Sequence, residues 1–354
     1  MKNEISDRSL KRILKNMPKA ELHLHLDGSL RVETALKLAR KQGLDAPNDY
    51  NRMHQLLTAP KKATTQMELL KHFELPIKLL QDYDSLEMTT FELVESKAND
   101  HVRYMEIRWA PALHTAGGLS VKQVIEAVCS GIERGMEKTG AIVNLICTAV
   151  RGHSTTDNIQ LARTAADFKN RGMVGFDLAG LEASYPDPLS QLAAFNAARE
   201  AGLQLTFHIG EVPGSLRYFK EALQTIKPGR IAHGICAIED PELCRILNKS
   251  MTALDLCPTS NFQAGIVSDI KNFPAAQLFR RDVPVTINTD DPVISEITMS
   301  DEYFNMIKHT DLTIDELWQI NLQALKSSFM DNKIKKILMM EFTDWAKGIP
   351  EISS

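Results

Sequence analysis

The sequence predicts an α/β protein, a (β/α)8 TIM barrel with extra helices inserted after the first strand and at the C-terminal end. Three observations predict it. Eight short β-branched or aliphatic runs recur along the chain, most of them closing on His, Asp, Gly or Pro. The segments between them carry apolar residues at three- and four-residue spacing, the period of an amphipathic helix. Strand then helix, repeated eight times, is the pattern of a parallel barrel. The 354 residues are 44% apolar and 24% charged, enough to bury one large core. No Pro/Gly-rich linker divides them, so a single domain over 1–354 is expected.

The first strand is expected at 20–26, where Leu22, Leu24 and Leu26 alternate with His23 and His25. The interval 27–103 reads as several helices, among them one over 66–81 with a stripe of Leu69, Leu70, Phe73, Leu75 and Leu79 that Pro76 kinks or splits. An insertion after strand one emerges at the catalytic face of a barrel, so part of it is placed to roof a pocket. Further strands are expected at 104–109, 142–150, 174–179, 204–209, 230–233, 252–257 and 284–288. Val124, Val128 and Ile132 mark one intervening helix; Leu189, Leu192, Ala193 and Ala197 mark another. Helices over 314–326 and 332–346 close the chain.

Lys plus Arg number 41 against 45 for Asp plus Glu, a net charge of −4, and no basic cluster forms a surface for nucleic acid. No apolar run reaches 18 residues, so no membrane partner is expected. Residues 1–17 alternate charged and apolar side chains like a short helix and lack the apolar core of a signal peptide. Cys129, Cys147, Cys236, Cys244 and Cys257 are an odd number with no C-x-x-C pair, the pattern of free thiols in a reducing compartment. A cytoplasmic location is expected.

Strand alternation points His23 and His25 to one side, into the barrel, about 7 Å apart. Two unpaired imidazoles in an otherwise apolar strand are costly without a ligand. Strand five ends on His208 and strand eight on Asp290 and Asp291, at the same edge of the barrel. Three imidazoles and one carboxylate suit zinc with a position left for water. His233, ending strand six, is placed to orient or deprotonate that water. Glu211, three residues past His208, can lose contact with solvent under a lid and then donate a proton near neutrality. Strand four contains no lysine that could bridge two metals, so one metal is expected; the H-x-E followed by P-C-x-x-C of cytidine-deaminase zinc sites is also missing.

Six ordered motifs at strand ends carry a resemblance: Pro-Lys-Ala-Glu-Leu-His-Leu-His-Leu-Asp-Gly at 18–28, Asp-Leu-Ala-Gly at 177–180, His-Ile-Gly-Glu at 208–211, Arg-Ile-Ala-His-Gly at 230–234, Cys-Pro-Thr-Ser-Asn at 257–261 and Asn-Thr-Asp-Asp-Pro at 288–292. Together they resemble the adenosine deaminase family, zinc-dependent barrels that convert adenosine to inosine and ammonia in purine salvage. The resemblance implies one Zn2+ per subunit held by His23, His25, His208 and Asp290. It implies Glu211 as the proton donor to purine N1, and His233 with Asp290 as the groups that orient the attacking water. It further implies Asp291 at N7, the Gly180 backbone at N3, and Asp27, with His25 beside it, at the ribose 5′-hydroxyl. The partner implied is a small purine nucleoside, with the number of subunits left open.

The chain departs from most of that family in having Ile209 and Ala232 where alanine and glycine are usual, and in the segment Val212-Pro213-Gly214-Ser215. Alternation from His208 turns Ile209 away from the metal, which favours a packing role. Competing substrates keep the chemistry and change the purine's substituent: adenine, 5′-methylthioadenosine, aminodeoxyfutalosine or N6-methyl-AMP. Asp27 discriminates among them, because a carboxylate repels a 5′-phosphate and is left unpaired by a thioether. More remote are another mononuclear amidohydrolase and a catalytically silent member; the latter is expected to have lost a ligand or Glu211.

Overall fold

The computed structural model describes residues 5–61 and 65–352. Its strands follow the predicted order, and every pairing is parallel. Lys19–His25, Val102–Trp109, Ile142–Val150, Met173–Ala179 and Gln204–Leu205 form one sheet in sequence order. His208–Ile209, Arg230–His233, Ala253–Leu256 and Val285–Ile287 form the next. The predicted fifth strand is therefore two short pieces, each paired with a different neighbour. Single backbone bonds carry the seam: Thr206 N–H to Phe176 O at 3.0 Å, Gly229 N–H to Leu205 O and Ala232 N–H to Phe207 O, both at 2.9 Å. At the other seam Leu24 bridges Asp290, and the Asn288 side-chain oxygen accepts from the Leu22 and His23 N–H groups. The two sheets thus close on each other as a barrel.

The insertion after strand one contributes the helices Val32–Gln42, Tyr50–Leu57, Gln66–Leu70, Glu74–Leu79 and Tyr83–Asn99. The stripe expected as one helix over 66–81 is split, with a 3-10 turn at Lys71–Phe73 joining the halves. Pro76 falls in the first turn of the second half, where its missing N–H costs no helical bond. Other helices stop and start on local chemistry. Val121–Thr139, for example, opens on a Ser120/Gln123 capping box and closes on Gly140 at φ +69°. The C-terminal helices run Ile314–Ser327 and Asn332–Ala346, preceded by Met299–His309.

The barrel interior is charged where side chains such as Val, Ile and Leu usually fill it. Glu106, Arg108, Asp177, Arg230 and Asp255 are all completely buried. The guanidinium of Arg108 lies 3.5 Å from Asp177 and 3.4 Å from Asp255. Arg230 lies 3.0 Å from Asp255 and also pairs with Glu106. The chain of ion pairs gives each buried charge a partner, which is what makes burial tolerable. It runs directly beneath the histidine cluster described next. All five cysteines are unpaired, and no helix among the described residues is long and apolar enough to cross a membrane.

Candidate active site

Strand one brings His23 and His25 to the C-terminal edge of the barrel. Their rings converge more closely than the strand repeat alone dictates, with Nε2 atoms 3.2 Å apart. The Nε2 of His208, from the fifth stave, lies 3.3 Å from that of His25. Asp290 Oδ1 lies 3.0 Å from His23 Nε2 and 3.3 Å from His25 Nε2. All four ligand atoms fall within 4.8 Å of one another. Four ligands about 2.05 Å from a tetrahedral zinc would be separated by about 3.3 Å, so the spacing fits a shared cation.

Electrostatics point the same way. Burial, assisted by the Arg108 charge, holds His23 well below its ordinary value, and burial holds His25 down to about 4. Burial likewise lowers His208, outweighing the pull of Asp177. Burial thus favours the neutral form of all three imidazoles, the form that offers a nitrogen lone pair to a metal. The outer nitrogen of His208, Nδ1, donates to Asp177 at 3.2 Å, which leaves Nε2 free as a ligand. Burial alone would raise Asp177, but His208 and Arg108 outweigh it and hold the carboxylate ionised.

Asp290 and His233 both sit at φ +62°, the left-handed region that side-chain-bearing residues avoid. In strand six, alternation from the inward Arg230 would send His233 toward the helices. The left-handed turn re-aims it, and its Nε2 lies 3.4 Å from Glu211 and 3.8 Å from Asp290. The Asn261 side chain holds its other nitrogen at 3.0 Å. Asp290 is kept in place from strand one: its carbonyl accepts from His25 N–H at 2.8 Å and its N–H donates to the His23 carbonyl at 3.2 Å.

These groups open into a cavity of about 220 Å3 that also bears Asp27, Gly180, Glu211 and Asp291. Leu69, Leu70, Phe73 and Ile77 of the insertion line its other side, so the predicted roof exists. Among the described residues no lysine or arginine lines it. Burial raises Glu211 above the usual carboxylate range, partly offset by His233. Burial and the neighbouring Asp290, Asp27 and Glu211 push Asp291 well above it. One oxygen each of Asp27 and Asp291 is buried without a partner, as a site awaiting polar ligand atoms requires. Gly28 permits the packing, since a Cβ there would lie 2.0 Å from Asp291 Oδ1. Ile209 is fully buried in the apolar core and does not line the cavity.

All nine residues singled out from the sequence therefore meet at one end of the barrel. Four supporting residues escaped that reading. Asp177 and Asn261 lay inside motifs but carried no assigned role. Gln66, from the roof, hydrogen-bonds Glu211. Glu182 accepts from the backbone N–H groups of Gly210 and Glu211. An acidic residue just past the end of strand four was the available signal for Glu182; Gln66 offered none.

The sequence profile of the adenosine deaminase family matches residues 18–345. An adenosine deaminase of Clostridium perfringens is 34% identical over 329 residues, covering 92% of this chain and 98% of that protein. Among solved structures, an adenine deaminase from Arthrobacter aurescens superposes with a TM-score of 0.86 at 26% identity, covering 94% of this chain and 99% of its own. An Arabidopsis N6-mAMP deaminase gives 0.83 at 27% identity, with coverage of 94% and 99%.

Proposed function

The chain belongs to the adenosine deaminase family, and on that premise we propose that it hydrolyses adenosine and 2′-deoxyadenosine to inosine and 2′-deoxyinosine with release of ammonia. The observation that carries this reading is the placement of the Glu211 carboxyl group, only 11% exposed, in one cavity with the His23, His25, His208 and Asp290 cluster. Those four residues would hold one zinc ion per subunit, which supplies Lewis acidity and brings the pKa of water toward about 7.

The protein's own groups do the rest. Glu211, whose carboxyl group burial raises above its ordinary value, donates a proton to purine N1 and so withdraws electron density from C6. Water oxygen then adds at C6, steered by His233 and Asp290, which face the same point from two strands, and passes one proton to His233. As the C6–N bond breaks, the 6-amino group takes up that proton and leaves as ammonia, while the water's second proton leaves the C6 oxygen as it becomes the carbonyl and restores the Glu211 acid. Asp291, pushed well above the usual carboxylate range by burial and by its acidic neighbours, donates to the lone pair of N7, and the Gly180 backbone N–H meets N3. Asp27 accepts from the ribose 5′-hydroxyl, which satisfies its unpartnered oxygen. Among the described residues no cationic side chain lines the cavity to offset a 5′-phosphate against that carboxylate, so we favour nucleosides over nucleotides. Adenine and 5′-methylthioadenosine leave Asp27 unpaired. We place the enzyme in purine salvage, in the reducing cytoplasm that five free thiols fit, as a single catalytic domain.

Ammonia release from adenosine, adenine, 5′-methylthioadenosine and AMP tests the proposal. It predicts that adenosine exceeds the others by at least about tenfold in kcat/KM, the value of one hydrogen bond to a charged group. Faster turnover of adenine or AMP would overturn it.

A further inference from the structure

The loop that carries Glu211 has almost no regular structure of its own. It begins and ends on left-handed glycines, Gly210 at φ +92° and Gly214 at +89°, so its backbone must find partners elsewhere. Two buried side chains of opposite charge that do not line the substrate cavity hold it, one at the strand end just before the loop and one on the loop's own backbone. Arg151 donates to the carbonyl of His208 at 2.6 Å and to that of Tyr185. Glu182, completely buried in the turn after strand four, accepts from Gly210 N–H on one carboxylate oxygen at 3.1 Å. Its other oxygen accepts from Glu211 N–H at 2.8 Å.

A buried carboxylate is costly unless it is richly hydrogen-bonded, and here its donors are the backbone of the proposed proton donor and of the residue before it. With two oxygens on two successive N–H groups, the direction of the Glu211 Cα–Cβ bond is set, and with it the reach of its carboxyl group toward His233. We propose that Glu182 is the positioning residue for Glu211, fixing the proton donor through its backbone and touching neither substrate nor metal. The inference rests on the role of Glu211 proposed above.

Glu182→Gln tests it. The amide keeps the shape but offers one acceptor and turns an N–H toward a backbone N–H. The expected result is a fall in kcat of about 10- to 100-fold, with KM for adenosine and zinc content within about twofold of wild type. Glu182→Asp, which keeps both oxygens, should recover part of the loss, and it carries the comparison if the glutamine variant does not fold. Introduced beside Glu211→Gln, the change should cost less than about twofold further, because both act through one proton transfer. Wild-type kcat in Glu182→Gln, losses that multiply in the double variant, or activity lost only in step with zinc would overturn the inference. Full turnover in Glu211→Gln alone would instead overturn the role given to Glu211.

Discussion

His208 donates its outer ring nitrogen to Asp177 at 3.2 Å, and Asp177 is in turn paired with Arg108 and Thr148. The proposed metal ligand is thus oriented by a carboxylate on the neighbouring strand, which is itself fixed by a buried guanidinium. Asp177→Asn replaces an obligate acceptor with a group that can present a donor to Nδ1. We expect zinc affinity to fall about 10- to 100-fold, measured by competition with a chelator of known affinity. Unchanged affinity would mean that His208 is oriented by its ring packing alone.

Gly28 and Asp291 give a steric prediction. A methyl group at position 28 would overlap the Asp291 carboxyl group, with contacts of 2.0 to 2.7 Å to its atoms. Gly28→Ala should displace Asp291 and lower kcat/KM for adenosine at least about tenfold while leaving zinc bound, because Asp291 is not among the four ligands. Wild-type kinetics in this variant would remove Asp291 from the purine site.

Glu21 and Lys97 form a buried pair at 2.9 Å that also holds the residue before Asp290. Lys97 donates to Thr289 Oγ1 at 2.7 Å, and Glu21 accepts from Thr289 N–H at 3.0 Å. Lys97→Met strands the Glu21 charge and should cost about 3–5 kcal/mol in urea unfolding. Glu21→Gln added to it should restore a substantial part. A single-variant loss below about 1 kcal/mol would contradict the clamp.

Glu302 gives a prediction with pH. Burial raises its carboxyl group to about 7, although it accepts from Thr259. A folded value above the unfolded one means that its contribution is complete below about 4.5 and is lost as pH rises through 7. Glu302→Gln, which cannot ionise, should therefore gain on the wild type by up to about 3 kcal/mol between pH 4.5 and 8. A stability difference that does not change across that range would show that Glu302 titrates normally.

What the sequence revealed divides along physical lines. His23, His25, His208 and Asp290 were legible because strand ends deliver side chains to one edge, and period-two alternation sets His23 and His25 on one face. The roof was legible as an apolar stripe, although the break at Lys71–Phe73 was not, since a proline marks a probable break only near its own position. The buried Arg108 and Arg230 carried no local signal, because charged side chains are seldom fully buried, although Glu106 and Arg108 alternate with Met105, Ile107 and Trp109 along a central strand. The left-handed turns at His233 and Asp290 have no local signature, because surrounding contacts hold them there. Glu182 acts on backbone atoms of a loop 28 residues away, a partnership that exists only once the barrel has closed.

The most direct test of a single catalytic cation is zinc titration of the metal-free enzyme, with ammonia release from adenosine as the readout. The account predicts that turnover rises linearly and stops at one equivalent of zinc per chain, and that Asp290→Ala needs far more zinc and stays inactive. Turnover without metal, or a break at two equivalents, would contradict it.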